Sequence, residues 1–284
     1  MVDITEEFVQ LGDVRLNVAS AGPTTGPPVL LLHGFPDSWQ LWRPQLEALA
    51  NAGHRVIAPD LRGFGQSDRP EDTAAYRMPV LVGDVVGVLD HYGVERAAVI
   101  GHDWGAALAW QVAFRQAARV TRLVAISVGH GGTSASAGIA QRQASWYMLW
   151  FLFPGVAEDV LPRNDWQFFR EWAWNGAAPG ENEACDRQIA ELSRPGALVA
   201  ALNIYRANIL PARFVPTDEV AGPLVSCPTL GVWSSGDAFL TEAQMTQSAR
   251  FVTGDWRYER LPGHHWVPAG APDELATLLV DWLG

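Results

Sequence analysis

Two cysteines, Cys185 and Cys227, are all that this chain of 284 residues contains. They make no disulfide framework and stand at no metal-ligand spacing, so both read as buried or half-buried thiols. No cluster of Lys and Arg occurs and the formal net charge is −11. Nucleic acid and an anionic membrane surface are therefore poor partners. No apolar run reaches transmembrane length. The acidic start, Met1 to Glu7, runs directly into a strand pattern and does not read as a signal peptide. Low-complexity tracts, repeats and flexible linkers are also missing. The expectation from these absences is a soluble cytoplasmic protein.

What is abundant is apolar. Hydrophobic residues make up 48% of the chain, enough for a sizeable core, and tryptophan alone occurs 13 times. Trp104, Trp146, Trp150, Trp166, Trp172 and Trp174 precede residue 175, a concentration that suits core and an apolar pocket.

Eight segments read as strands. Phe8 to Leu11 and Val14 to Ala19 flank Gly12-Asp13, a tight hairpin. Val29 to Leu32, Val56 to Ala58, Ala97 to Ile100, Leu123 to Val128, Thr229 to Trp233 and Arg257 to Leu261 follow. The later ones are continuous apolar runs, the mark of strands buried on both faces. Helical patterns lie between them at Trp39 to Asn51, Met78 to Tyr92, Gly105 to Gln116, Thr241 to Phe251 and Pro272 to Leu283. Two antiparallel strands followed by alternating strand and helix predict a mostly parallel sheet covered by helices. Residues 130 to about 215 break the rhythm. They are rich in Trp, Phe and Ala, punctuated by Pro154, Pro162, Pro179, Pro195 and Pro211, and read as a helical insertion.

Gly101-His102-Asp103-Trp104-Gly105 is the most informative stretch. The apolar run Ala97 to Ile100 leads in and Ala106 to Trp110 leads out, giving the strand, abrupt turn and helix of a nucleophile elbow. The flanking glycines suit a strained, crowded turn. The central residue is Asp where a serine would acylate. A carboxylate there attacks carbon and forms an alkyl ester with its substrate. Taken alone, the pentad also fits an Asp that merely caps a helix.

With three further motifs the chain resembles the α/β-hydrolase superfamily, and within it the soluble epoxide hydrolases, over nearly its whole length. His33-Gly34-Phe35-Pro36 follows the strand Val29 to Leu32. Asp237 ends Gly231 to Asp237, and His265 lies in Gly263-His264-His265-Trp266, giving the superfamily's order of nucleophile, acid, base. Gly129-His130-Gly131-Gly132 offers no carboxylate for an alternative acid. Trp146 to Glu158 resembles the family's first cap segment, with Tyr147 seven residues before Pro154-Gly155. Leu202 to Asn208 resembles the second, with Tyr205. Asp60 to Asp68 also resembles the superfamily and is taken as architectural.

The resemblance implies an α/β-hydrolase fold: an eight-stranded mostly parallel sheet flanked by helices, with a helical cap inserted between sheet strands. Residues 1–130 and 216–284 would form the core and residues 131–215 the cap. It implies Asp103 as nucleophile, His265 as base, Asp237 as its acid partner, and Tyr147 and Tyr205 as lid tyrosines. The amides of Phe35 and Trp104 would form the oxyanion hole, and Trp104, Trp150 and Pro36 would line the substrate pocket. The family pattern of small residue, His, aromatic selects His265 over His264, which replaces a glycine. The implied reaction takes a small apolar epoxide to a vicinal diol, with no metal and no cofactor. A haloalkane dehalogenase shares the nucleophile and is the alternative. However, it leaves the paired tyrosines unexplained and often has Asn where Phe35 stands. A non-catalytic binding protein on the same fold is the remote alternative. Monomer or homodimer is left open.

Overall fold

The structure is a computed structural model that describes residues 2–133, 138–176, 179–180, 182–215 and 222–284. Eight strands form one sheet: β1 (Ile4–Leu11), β2 (Val14–Ala21), β3 (Pro28–Leu32), β4 (Arg55–Pro59), β5 (Ala97–His102), β6 (Val120–Ile126), β7 (Thr229–Gly236) and β8 (Trp256–His264). Their order is β1-β2-β4-β3-β5-β6-β7-β8. β1 and β2 form an antiparallel hairpin turning at Gly12 (φ 59°), and β2 is antiparallel to β4. From β4 to β8 every pairing is parallel.

The apolar runs explain this order. Leu30, Leu31, Leu32, Val99 and Ile100 are completely buried, so β3 and β5 lie at the centre with helices on both faces. β1 alternates exposed and buried residues only weakly and takes the edge. The covering helices match the periodicity read from the sequence: Arg43–Asn51, Met78–His91, Trp104–Arg115 and Pro272–Leu283. Two details differ. The expected helix Trp39 to Asn51 opens with a separate 3-10 turn, Trp39–Trp42, and Thr241 to Phe251 divides into Glu242–Thr246 and a 3-10 turn, Gln247–Phe251. The strand expected to reach Val128 ends at Ile126, because Ser127 turns the chain with φ 69°.

Between β6 and β7 the described residues form helices and no named strand: Gly138–Ala144, Trp146–Phe151, Val156–Val160, Arg163–Trp174, Glu183–Leu192 and Ala197–Asn208. The expected boundary after residue 215 abuts residues 216–221, which lie outside the described residues.

Polar side chains fasten this helical segment to the sheet layer at separate places. Gln141 donates to the Phe239 carbonyl at 2.9 Å and accepts from the Thr241 amide at 2.8 Å. Asn208 accepts from the Met78 amide and donates to the Tyr76 carbonyl, both at 2.8 Å. Gln188 donates to buried Asp37 at 2.7 Å, and Arg194 donates to the Gly65 carbonyl at 2.7 Å. Trp174 stacks on Trp266 with ring centres 4.4 Å apart. Each buried amide satisfies a donor and an acceptor that would otherwise go unpaired.

Candidate active site

The carboxyl ends of β3, β5, β7 and β8 deliver residues to one place, as expected for an open parallel sheet. β5 ends at His102, and Asp103 turns the chain with φ 54° and ψ −121° into the Trp104–Arg115 helix. Such a conformation is costly for a residue with a side chain. Crowding explains the glycines around it. A Cβ on Gly105 would sit 2.0 Å from the Leu32 carbonyl oxygen, and one on Gly101 2.2 Å from that of Gly105. The Asp103 side chain makes no capping bond to the helix it precedes. A mere helix cap is thereby ruled out.

Instead the Asp103 carboxylate is gripped from β3 and faced from β8. Its Oδ1 accepts the Phe35 amide at 2.8 Å, and its Oδ2 lies 3.7 Å from His265 Nε2. His265 Nδ1 is 2.9 Å from Asp237 Oδ2. The other oxygen of Asp237 accepts the amides of Phe239 and Leu240 at 2.9 and 3.0 Å, which fixes the carboxylate in place. Trp104 carries the first amide of its helix, one of those without an intrahelical acceptor.

Burial works to lower the His265 pKa, but the carboxylates of Asp237 and Asp103 on either side outweigh it and raise it to about 10. Burial likewise opposes the ionised form of Asp237, yet His265 and the two amides hold its pKa below the usual carboxylate value.

The remaining histidines do other work. His264 accepts the Trp266 amide through Nδ1 at 3.1 Å and packs edge-on against Trp174. His33 Nε2 accepts the Leu61 amide and its Nδ1 bonds the Gly34 carbonyl, which braces the loop that carries Phe35. His102 Nε2 is 2.9 Å from the His265 carbonyl. Burial lowers the His102 pKa to about 4. The ring is therefore neutral at pH 7, and the nitrogen facing a carbonyl carries the proton.

Tyr147 and Tyr205 come in from the helical segment. Both are buried, and their ring centres are 6.2 Å apart. Tyr205 also stands edge-on to Phe35 at 5.4 Å and to Trp104 at 5.0 Å. Burial, with Tyr147 and Asp103 nearby, pushes the Tyr205 pKa well above the ordinary phenol value. The phenol therefore stays protonated at pH 7.

The two phenols, Asp103 and His265 share one cavity, closed by Phe35, Trp172, Phe239 and Trp266. Its free volume is about 10 Å³, room for a single water molecule. None of the three expected pocket residues is among its walls. Trp150 packs instead against Phe151 and Phe168, with centres 5.6 and 5.5 Å away, and Pro36 leaves the wall to the ring of Phe35. Trp104 lines a neighbouring cavity of about 380 Å³ with Trp110 and His130 and reaches the site through Tyr205. Phe239 and Trp266 were missed, although each lies within two residues of Asp237 or His265. Trp172 carries no local signal.

Comparison with known proteins agrees with this arrangement. Residues 27–269 match the alpha/beta hydrolase fold family. Epoxide hydrolase A of Mycobacterium tuberculosis (strain ATCC 25618 / H37Rv) is 32% identical over 98% of this chain and 97% of its own. Epoxide hydrolase 3 of Siraitia grosvenorii is 41% identical over 90% of this chain and 82% of its own. The crystal structure of epoxide hydrolase A from Mycobacterium thermoresistibile superposes with a TM-score of 0.84 at 30% identity, covering 99% of this chain and 98% of that one. A sheet of this order, an aspartate at its central turn and a match over most of the length lead to one conclusion: the chain belongs to the alpha/beta hydrolase fold family.

Proposed function

We propose that this enzyme hydrolyses epoxides to vicinal diols through a covalent ester on Asp103. In this reading residues 131–215 are a cap over a core of residues 1–130 and 216–284. One observation carries the reading: a carboxylate gripped on Oδ1 and faced by His265 on Oδ2 shares a water-sized cavity with two phenols. Opening an epoxide releases an alkoxide, which needs a proton as its C–O bond breaks. Phenols with ordinary pKa near 10 are neutral at pH 7 and can clamp and protonate it.

Asp103 Oδ2 forms a bond to one ring carbon. The C–O bond on that carbon breaks, and its electron pair goes to the ring oxygen, which takes a proton from the tyrosine pair. Esterification removes the negative charge of Asp103 that helped hold the His265 imidazolium. His265 then gives up its proton as the phenolate regains one. Neutral His265, oriented by Asp237, takes a proton from water, and the hydroxide adds to the carboxyl carbon of Asp103. The amides of Phe35 and Trp104 hold the oxyanion. Collapse breaks the ester bond, the diol oxygen takes the proton from His265, and the acid proton of Asp103 returns to the imidazole. The starting charges are restored, and the chemistry needs only these residues.

Halide displacement would use the same aspartate, but it has no use for two phenols. The test is a parallel assay of diol from styrene oxide and halide from 1-chlorohexane, with His265→Gln followed by intact mass. Diol without halide, and an ester adduct on the variant, is the expected result. Halide without diol overturns the reading.

A further inference from the structure

Resting on the epoxide reading, we propose that Trp172 sets the size of substrate admitted to Asp103, restricting the wild-type enzyme to slim terminal epoxides. The cavity beside Asp103 holds about one water molecule, so any substrate has to displace a wall. Most walls cannot move without undoing the site. Phe35 supplies the amide on Asp103, and Phe239 supplies an amide to Asp237 while its ring meets His265 at 5.1 Å. Trp266 follows His265 and is held by the Trp174 stack. The two tyrosines are the proton donors.

Trp172 differs from all of these. It is the one residue lining the cavity that is partly exposed; all the others are buried. No hydrogen bond of its indole to any described residue is seen, whereas Trp174 donates to Gln188 at 2.8 Å. Its ring bridges the seam between the two layers, 4.8 Å from Tyr147 on the helical side and 5.2 Å from Phe239 on the sheet side. Displacing it breaks ring contacts alone. It is therefore the outer wall and the one that yields most easily. A substrate arm has to leave through the gap that Trp172 fills, and a second bulky group on the far carbon finds only fixed walls.

The test compares Trp172→Ala, Trp172→Phe and a control on the same helix, Phe168→Ala, with wild type. Phe168 packs on Trp150 and stands outside the cavity. Turnover of styrene oxide and trans-stilbene oxide is measured for each. The ratio of kcat/KM for stilbene oxide over styrene oxide should rise about tenfold or more in Trp172→Ala, the scale of discrimination by pocket fit. Trp172→Phe should fall between, and Phe168→Ala should leave the ratio unchanged. An unchanged ratio in Trp172→Ala, or an equal rise in Phe168→Ala, overturns the proposal. If wild type turns over neither oxide, the epoxide reading fails separately, and calorimetry with benzyl alcohol and diphenylmethanol decides the gate. Binding of diphenylmethanol by Trp172→Ala alone upholds it; equal behaviour of the two proteins rejects it.

Discussion

The main-chain amide of Phe35 donates to Asp103 Oδ1 across 2.8 Å, joining a loop after β3 to the turn after β5. This bond divides the carboxylate. One oxygen is committed to the protein, and the other is left to face His265 and the cavity. In the proposed reaction a reactive carbon would meet a single, oriented oxygen.

The approach leaves no room at Gly34, where a Cβ would sit 2.4 Å from Asp103 Oδ1 and 2.7 Å from the His102 carbonyl oxygen. Gly34→Ala should fold but displace the carboxylate. Stopped-flow alkylation should slow by about a hundredfold, the usual cost of a misplacement near 1 Å. Wild-type alkylation kinetics would show that the loop can shift freely.

Attack of water on the ester, and not on the epoxide, has an isotopic signature. A single turnover in ¹⁸O-labelled water should place the label in Asp103 and leave the diol unlabelled. Mass spectrometry of the peptide bearing Asp103 reads the outcome. Label in the first-turnover diol would mean direct attack by water and no ester.

Tyr147→Phe and Tyr205→Phe should each slow ring opening by about a hundredfold or more, the range of general acid catalysis. The double variant should not multiply the two losses, because the phenols line one cavity and act on one oxygen. Multiplicative losses would place them in separate steps.

His265 has its pKa raised from 6.5 to about 10 in the folded protein, chiefly against burial and by the charges of Asp237 and Asp103. Its protonated form is favoured by folding. That contribution is complete below pH 6.5 and is lost as pH rises through about 10. Asp237, with a lowered pKa, contributes above 3.8 and loses its share as pH falls. Urea unfolding should therefore show wild type losing more stability than His265→Gln between pH 7 and pH 10. NMR should find the His265 ring still an imidazolium at pH 8 and neutralised at lower pH in Asp237→Asn. A neutral ring at pH 7 in wild type would contradict the charge balance.

Asn208→Ala would leave the Met78 amide and the Tyr76 carbonyl without their partner. The expected loss is about 1–3 kcal/mol in chemical denaturation, the cost of unsatisfied buried polar groups. Asn208→Asp keeps the acceptor for Met78 and should fall between. No change in either would mean that water replaces the clamp.

The sheet was legible in the sequence because its strands are apolar on both faces and too short to be helices. Val29 to Leu32 and Ala97 to Ile100 are the clearest cases, and both are central. The turn at Asp103 was legible because a strained turn demands glycines on either side, and that demand is local. The cavity walls were less so. Trp150 and Trp172 look alike in the sequence, but only Trp172 reaches the cavity. Which tryptophan turns inward depends on how the Trp146–Phe151 and Arg163–Trp174 helices lie against each other and against Phe239, a relation between segments that no local pattern encodes. Burial of Asp37 under Gln188 and Arg187 is another long-range pairing of this kind.

The polar clamps have a consequence for recombination between relatives. Gln141, Gln188, Arg194 and Asn208 each grip a different stretch of the sheet layer, at Phe239 and Thr241, at Asp37, at Gly65, and at Tyr76 and Met78. Residues 131–215 therefore do not form an exchangeable cassette. A chimaera that imports this segment from another parent inherits one half of every clamp. Cuts made at the segment's two ends leave the other halves behind, scattered through both flanking pieces. Functional shuffling would have to carry the loops at 37, 65, 76–78 and 239–241 along with it, so that both halves of each clamp are exchanged as a matched pair.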